Sequence, residues 1–175
     1  LGQFLTFQQL DAKISDLTLS LYHPSSYLRK DLPQSVRDYY AQKTGNFTQE
    51  GRERILISMM KVNFLKRLES SIDSFRLTLS RIIQKIDDLK AKIEDFQEAQ
   101  NQNPSCDFAN FSDEDFDDLD FDPEDLQIGG KYKIDLEHLN LADWKLAISQ
   151  DRGQLKNLLD HAEPINQARD QKLLR

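Results

Sequence analysis

The chain has 175 residues, 38% of them hydrophobic and 30% charged, with a formal net charge of -7. That suffices for one domain or two small ones, and six Gly and five Pro are too few for the turns of a barrel or sandwich. No run of 18 apolar residues is present, which excludes a transmembrane helix, and the N-terminus is no signal peptide.

The first residue is Leu1 rather than Met, which reads as a piece of a longer polypeptide. Residues 3–22 read as a first helix, because Phe7, Leu10, Ile14, Leu17 and Leu21 recur in steps of three and four. His23-Pro24 ends it, since the residue before Pro is biased out of the helical region. A turn follows to Asp31. Pro33 then opens a short helix, Gln34 to Gln42, which Gly45-Asn46 stops. Residues 1–47 are thus expected to pack as N-terminal helices on a longer central one.

The next stretch, 48–103, reads as that long central helix. Thr48 is its N-cap, with Glu50 and Glu53 at its positive end. Ile55, Leu56, Ile57, Met59, Met60 and Val62 are too dense for one stripe and predict a helix covered on two sides. Beyond them the pattern is a clean heptad. Leu65, Ile72, Leu79, Ile86 and Ile93 hold one set of positions, and Leu68, Phe75, Ile82, Leu89 and Phe96 hold the set three residues on. No Gly or Pro lies between Arg52 and Asn103. A helix of roughly 50 residues spans roughly 75 Å, too long for one small globule.

Residues 104–134 form an expected acidic, flexible loop. Ten acids and no base lie between Asp107 and Asp125, interleaved with Phe108, Phe111, Phe116, Leu119 and Phe121. Without them the chain carries 23 bases against 20 acids, so its charge is segregated. Asp113, Asp115, Asp117 and Glu124 match calcium-loop positions 1, 3, 5 and 12, but Asp118 stands where that loop needs Gly, and Pro123 sits at position 11. The alternative is an acid-and-Phe segment that imitates nucleic acid. The single cysteine, Cys106, excludes an internal disulfide and points to a reducing, cytoplasmic setting.

Gly129-Gly130 is a turn, and Lys131 to Leu139 reads as extended or as a short helical turn. Residues 135–175 return as a helix from about Leu141, leading to a next domain. Leu141, Trp144, Ile148, Leu155, Leu158, Ala162 and Ile165 share its seam, with Asp151 the polar exception and Pro164 expected to bend or split it. The fold class expected is all-α: an elongated bundle built on one long helix and an antiparallel hairpin.

Motifs for catalysis and cofactors are sparse. Neither a phosphate loop nor GxGxxG is present. His23, His138 and His161 are far apart, without CxxC or HExxH, so no metal, catalytic or cofactor residue is assigned. Between Arg52 and Lys85, however, eight bases face three acids. In the heptad frame Lys66, Arg67 and Arg81 point away from the seam, with Ser70 and Ser74 on the same side. Such a face suits phosphate contact without base readout.

Four segments in order resemble a known family. Leu65 to Arg76, with its Lys66-Arg67-Leu68-Glu69-Ser70-Ser71 core, is similar to the KRLESS-type helix of bacterial helicase-related ATPases of the Swi/Snf kind, members of helicase superfamily two. Tyr22 to Leu28 resembles their Y-x-P-x-x-Y-L segment. Ile128 to Lys131, Asp135-Leu136 and Trp144 resemble the stretch after their variable acidic loop, and Asp170, Lys172 and Leu173 resemble the D-x-K-L opening of their second lobe. The resemblance implies a helical module between two RecA-like lobes of a DNA-dependent ATP hydrolase. ATP and magnesium would then belong to the parent's lobes and not to this chain. Glu69, Ser70 and Ser71 would cap or cross-link helices. The alternative is a free-standing coiled-coil adaptor that binds a partner, or dimerises, through its seam.

Overall fold

The computed structural model describes residues 5–42, 48–102 and 134–173, with side chains as far as Ala162. Within them lie five α-helices and no named strand: α1 (Phe7–Ser15), α2 (Gln34–Ala41), α3 (Gln49–Ser70), α4 (Ile72–Gln102) and α5 (Leu141–Leu173). The architecture is an all-α bundle. No described helix is long and apolar enough to cross a membrane. The expected stop at Gly45-Asn46, the acidic segment with its calcium pattern and Cys106, the Gly129-Gly130 turn, and the side chains of Ile165, Asp170, Lys172 and Leu173 lie outside what is described.

The single helix expected over 48–103 is two helices. Thr48 does open the first, accepting the Gly51 N–H at 3.1 Å. The break falls at Ser71, whose backbone is extended. Its N–H closes the last turn of α3 on the Arg67 carbonyl at 2.9 Å, and its carbonyl accepts the Phe75 N–H at 3.1 Å. Its hydroxyl accepts the Ser74 N–H at 3.4 Å. One serine therefore ends α3 and caps α4, with Asp73 favourably placed in the first turn. Neither Gly nor Pro is needed, because Ser offers the backbone a bonded alternative to the helix.

The chain also turns back there. Glu53 hydrogen-bonds Ser25, while Phe96, Gln97 and Gln100 line a hollow with Ser26 to Asp31. In a straight helix residues 53 and 96 would stand about 65 Å apart. Both ends reach one short stretch only because α3 and α4 reverse at Ser71. The heptad stripe is nonetheless buried from Leu68 through Phe96, with Leu65 half-buried. Its mate comes from the same chain. Antiparallel α5 lies along α4, marked by Lys145–Glu94 at 2.6 Å and Arg152–Asp87 at 2.6 Å. At roughly 1.5–3 kcal/mol per buried large apolar side chain, this seam is the main stabilising feature of the bundle.

The first helix is shorter than the 3–22 expected. Thr6 and Gln9 form a capping box at its start, and it ends at Ser15. Beyond it Leu17, Leu19 and Leu21 are all buried. A helix cannot turn three alternate residues to one side, so the backbone leaves the helical path, with Leu19 at φ 54°. A 3-10 turn, Ser20–Tyr22, and another, Pro24–Tyr27, follow. The 131–139 stretch resolves, in its described part, to a 3-10 turn at Leu136–His138. Its neighbour Leu139 pairs antiparallel with Leu28. The α5 helix runs on through Pro164 to Leu173, so that proline does not split it.

Asp151, the polar intruder in the α5 seam, now has its reason. Its carboxylate accepts the Ser20 N–H at 2.5 Å and is also bonded by the Leu19 backbone. The left-handed turn at Leu19 aims these amides at it. Two helical turns away, the buried Trp144 donates its indole N–H to the Ser20 carbonyl at 2.9 Å. Both polar groups of the Ser20 backbone are thereby satisfied inside the core.

Candidate functional site

The bundle buries one side of α3 and leaves another open. Leu56, Met60, Phe64 and Leu68 enter the core, and Ile57 packs against it. The opposite strip is not covered as its density predicted: Ile55 and Met59 are half-buried and Val62 is 50% exposed. The apolar surplus of this helix faces outward because α1, α2 and the 3-10 turns all meet α3 on its inner side.

That strip forms the floor of a shallow groove whose described lining belongs entirely to α3. Its residues step by three and four from Gly51 to Ser70, including Arg54, Ile55, Met59, Val62, Lys66 and Arg67. The apolar part lies in the middle. Arg54 stands near one end, ion-paired to Glu50, and Lys66, Arg67 and Ser70 stand at the other, beside the Ser71 corner. The described lining includes three bases and no acid. Such a surface suits a partner with apolar anchors in its middle and phosphate or carboxylate oxygens at the ends.

The three residues singled out for phosphate contact are thus divided. Lys66 and Arg67 lie side by side in the groove, Lys66 exposed and Arg67 half-buried. Arg81 is exposed but lies on α4, past the reversal, and is not part of the groove lining. A common face for all three was derived from a straight helix, and the corner at Ser71 removes that premise.

A second polar cluster, unforeseen in the sequence, sits where α3 begins. Glu53 is buried and accepts from the Ser25 N–H at 3.3 Å, from the Ser25 hydroxyl, and from Gln49 at 3.0 Å. Burial pushes its carboxyl up to about 7, against the opposing pull of these bonds. His23 Nε2 stands 3.7 Å from the Glu53 carboxylate, yet burial also lowers the His23 pKa. Both groups resist charge, so this approach is not an ion pair. The Ser26 hydroxyl lies 3.1 Å from both ring nitrogens of His23. An oxygen equidistant from the two cannot lie along either in-plane nitrogen direction, so it is poorly placed for proton transfer to the ring. The cluster is a structural clasp that ties residues 23–26 to α3.

Comparison with protein families, with curated proteins and with solved structures finds no match for this chain.

Proposed function

We propose that this chain is a non-catalytic helical module between the two RecA-like lobes of a Swi/Snf-type DNA-dependent ATPase, coupling lobe motion and meeting its neighbours through the outer face of α3. The groove on α3 carries the reading. Ile55, Met59 and Val62 give a flanking lobe an apolar strip to grip, and Lys66, Arg67 and Ser70 extend it with groups suited to phosphate oxygens. The organisation of the resembling segments supports the same view. The Tyr22–Leu28 segment and the stretch from Asp135 to Trp144 are distant in sequence but bonded together: Asn140 N–H donates to the Tyr27 carbonyl at 2.7 Å, and the N–H of Arg29, the next residue after the segment, donates to the His138 carbonyl at 2.8 Å. The KRLESS-like block, for its part, forms the corner between α3 and α4. A bundle with so continuous a seam suits a mechanical element.

The adaptor reading survives only in altered form. Its seam is already occupied by α5, so a protein partner or second copy would have to use an outer face, and the α3 strip is the one that joins apolar residues in a groove. Charge reversal of Lys66, Arg67 and Arg81 in the full-length protein separates the two. The module reading expects weaker DNA binding and a log–log salt slope reduced by up to about 2.7, at about 0.9 per phosphate contact. Unchanged affinity across the salt series removes the DNA contact. Light scattering then shows whether a dimer, lost on Val62→Glu, takes its place.

A further inference from the structure

We propose that Asp135, Glu137 and His138 form a solvent-open site for one divalent transition-metal ion of the zinc class, independent of the groove on α3. A carboxylate oxygen from each acid and an imidazole nitrogen all lie within 4.8 Å of one another. His138 Nε2 is 3.5 Å from the Glu137 carboxylate, and Nδ1 is 3.8 Å from that of Asp135. Metal–ligand bonds of about 2.0–2.2 Å need donors somewhat closer together. The two acids supply that movement, with side chains about half exposed, 49% for Asp135 and 48% for Glu137.

The imidazole, by contrast, is held. Its Nδ1 is 2.7 Å from the Tyr40 hydroxyl, and that hydroxyl also accepts the Asp135 N–H at 3.2 Å. A ring nitrogen that donates to a fixed partner leaves the other, Nε2, free of its proton as the ligand, as in metal sites with an outer-shell hydrogen bond. Glu137 already stands on that side, whereas Asp135 stands nearest Nδ1 and has to swing its exposed carboxylate round to join them. The backbone that carries the donors is pinned too. The Arg29 N–H binds the His138 carbonyl at 2.8 Å, and its guanidinium binds the Glu137 carbonyl at 3.1 Å. One imidazole and two carboxylates suit zinc and its neighbours better than magnesium or calcium, which prefer all-oxygen sets. The Arg29 charge reaches Glu137 and opposes any cation, although Asp31 pairs with that guanidinium at 2.5 Å. The site was not legible from paired His or Cys at fixed spacings, because its orienting partner, Tyr40, is 95 residues from Asp135.

Isothermal titration of the whole metal-free chain with zinc chloride tests this, with the reducing agent kept non-chelating. The expected result is one saturable equivalent. Asp135→Asn combined with Glu137→Gln lowers the affinity at least tenfold, and Tyr40→Phe lowers it by about tenfold through the loosened ring. His161→Gln leaves it unchanged. Circular dichroism establishes that each variant is folded, which the exposure of both acids favours. Cobalt supplies a second readout, since its visible bands must change on His138→Gln if Nε2 is a ligand. No saturable binding, or equal affinity in the double carboxylate variant, overturns the assignment.

Discussion

Replacing Glu53 by Gln isolates a buried carboxyl whose ionisation the fold opposes. The side chain is 6% exposed, and burial moves its pKa from 4.5 to about 7. At about 1.4 kcal/mol per tenfold change in proton affinity, that displacement corresponds to about 3 kcal/mol. The folded protein holds this proton more tightly than the unfolded chain does. The contribution is therefore fully present below about 4.5 and is lost as the pH rises to about 7. Gln keeps an oxygen to accept the Ser25 N–H and cannot ionise. The assay is urea unfolding of both proteins at intervals across this window. The wild type should lose about 3 kcal/mol relative to the Gln variant between its ends, or about 6–12 °C in melting temperature for a chain of this size. His23 acts in the opposite sense. Burial lowers its pKa from 6.5, so folding favours the neutral ring and stability falls as the pH drops below that value. It is present in both proteins, so its own titration cancels to first order, and the difference between them reports Glu53 together with its coupling to the ring 3.7 Å away. Parallel pH profiles, within about 1 kcal/mol, would refute the claim that burial dominates the hydrogen bonds at this carboxyl.

Asp151→Ala should cost about 2–5 kcal/mol, because it orphans buried amides at Leu19 and Ser20 and leaves a void where α5 meets that turn. Denaturant midpoints measure it, and a loss under about 1 kcal/mol would show that water replaces the carboxylate. Asp87→Asn should cost less than about 1 kcal/mol despite the 2.6 Å and 3.0 Å bonds from Arg152, since both side chains are 39% exposed and screened. Added salt should shrink that difference, and a salt-independent cost of several kcal/mol would contradict the assignment to solvent-screened charge.

Local pattern was enough to fix the helical class, the Thr48 cap, the start of α5 at Leu141 and the stripe from Leu68 to Phe96. Each depends on neighbours within one or two turns, and period and capping chemistry are readable over that range. The Ser71 corner was hidden because the heptad steps pass through it unbroken, and because Ser is a permitted helix residue as well as a cap. Asp151 was visible as an exception but not explicable, since its partner amide at Ser20 lies 131 residues away. The split of Lys66 and Arg67 from Arg81 had the same origin as the hidden corner. The amino-acid order determined which faces are apolar. Only the tertiary packing decided which of them is covered, leaving the Ile55, Met59 and Val62 strip outside, because burial depends on which distant helix arrives and on which side.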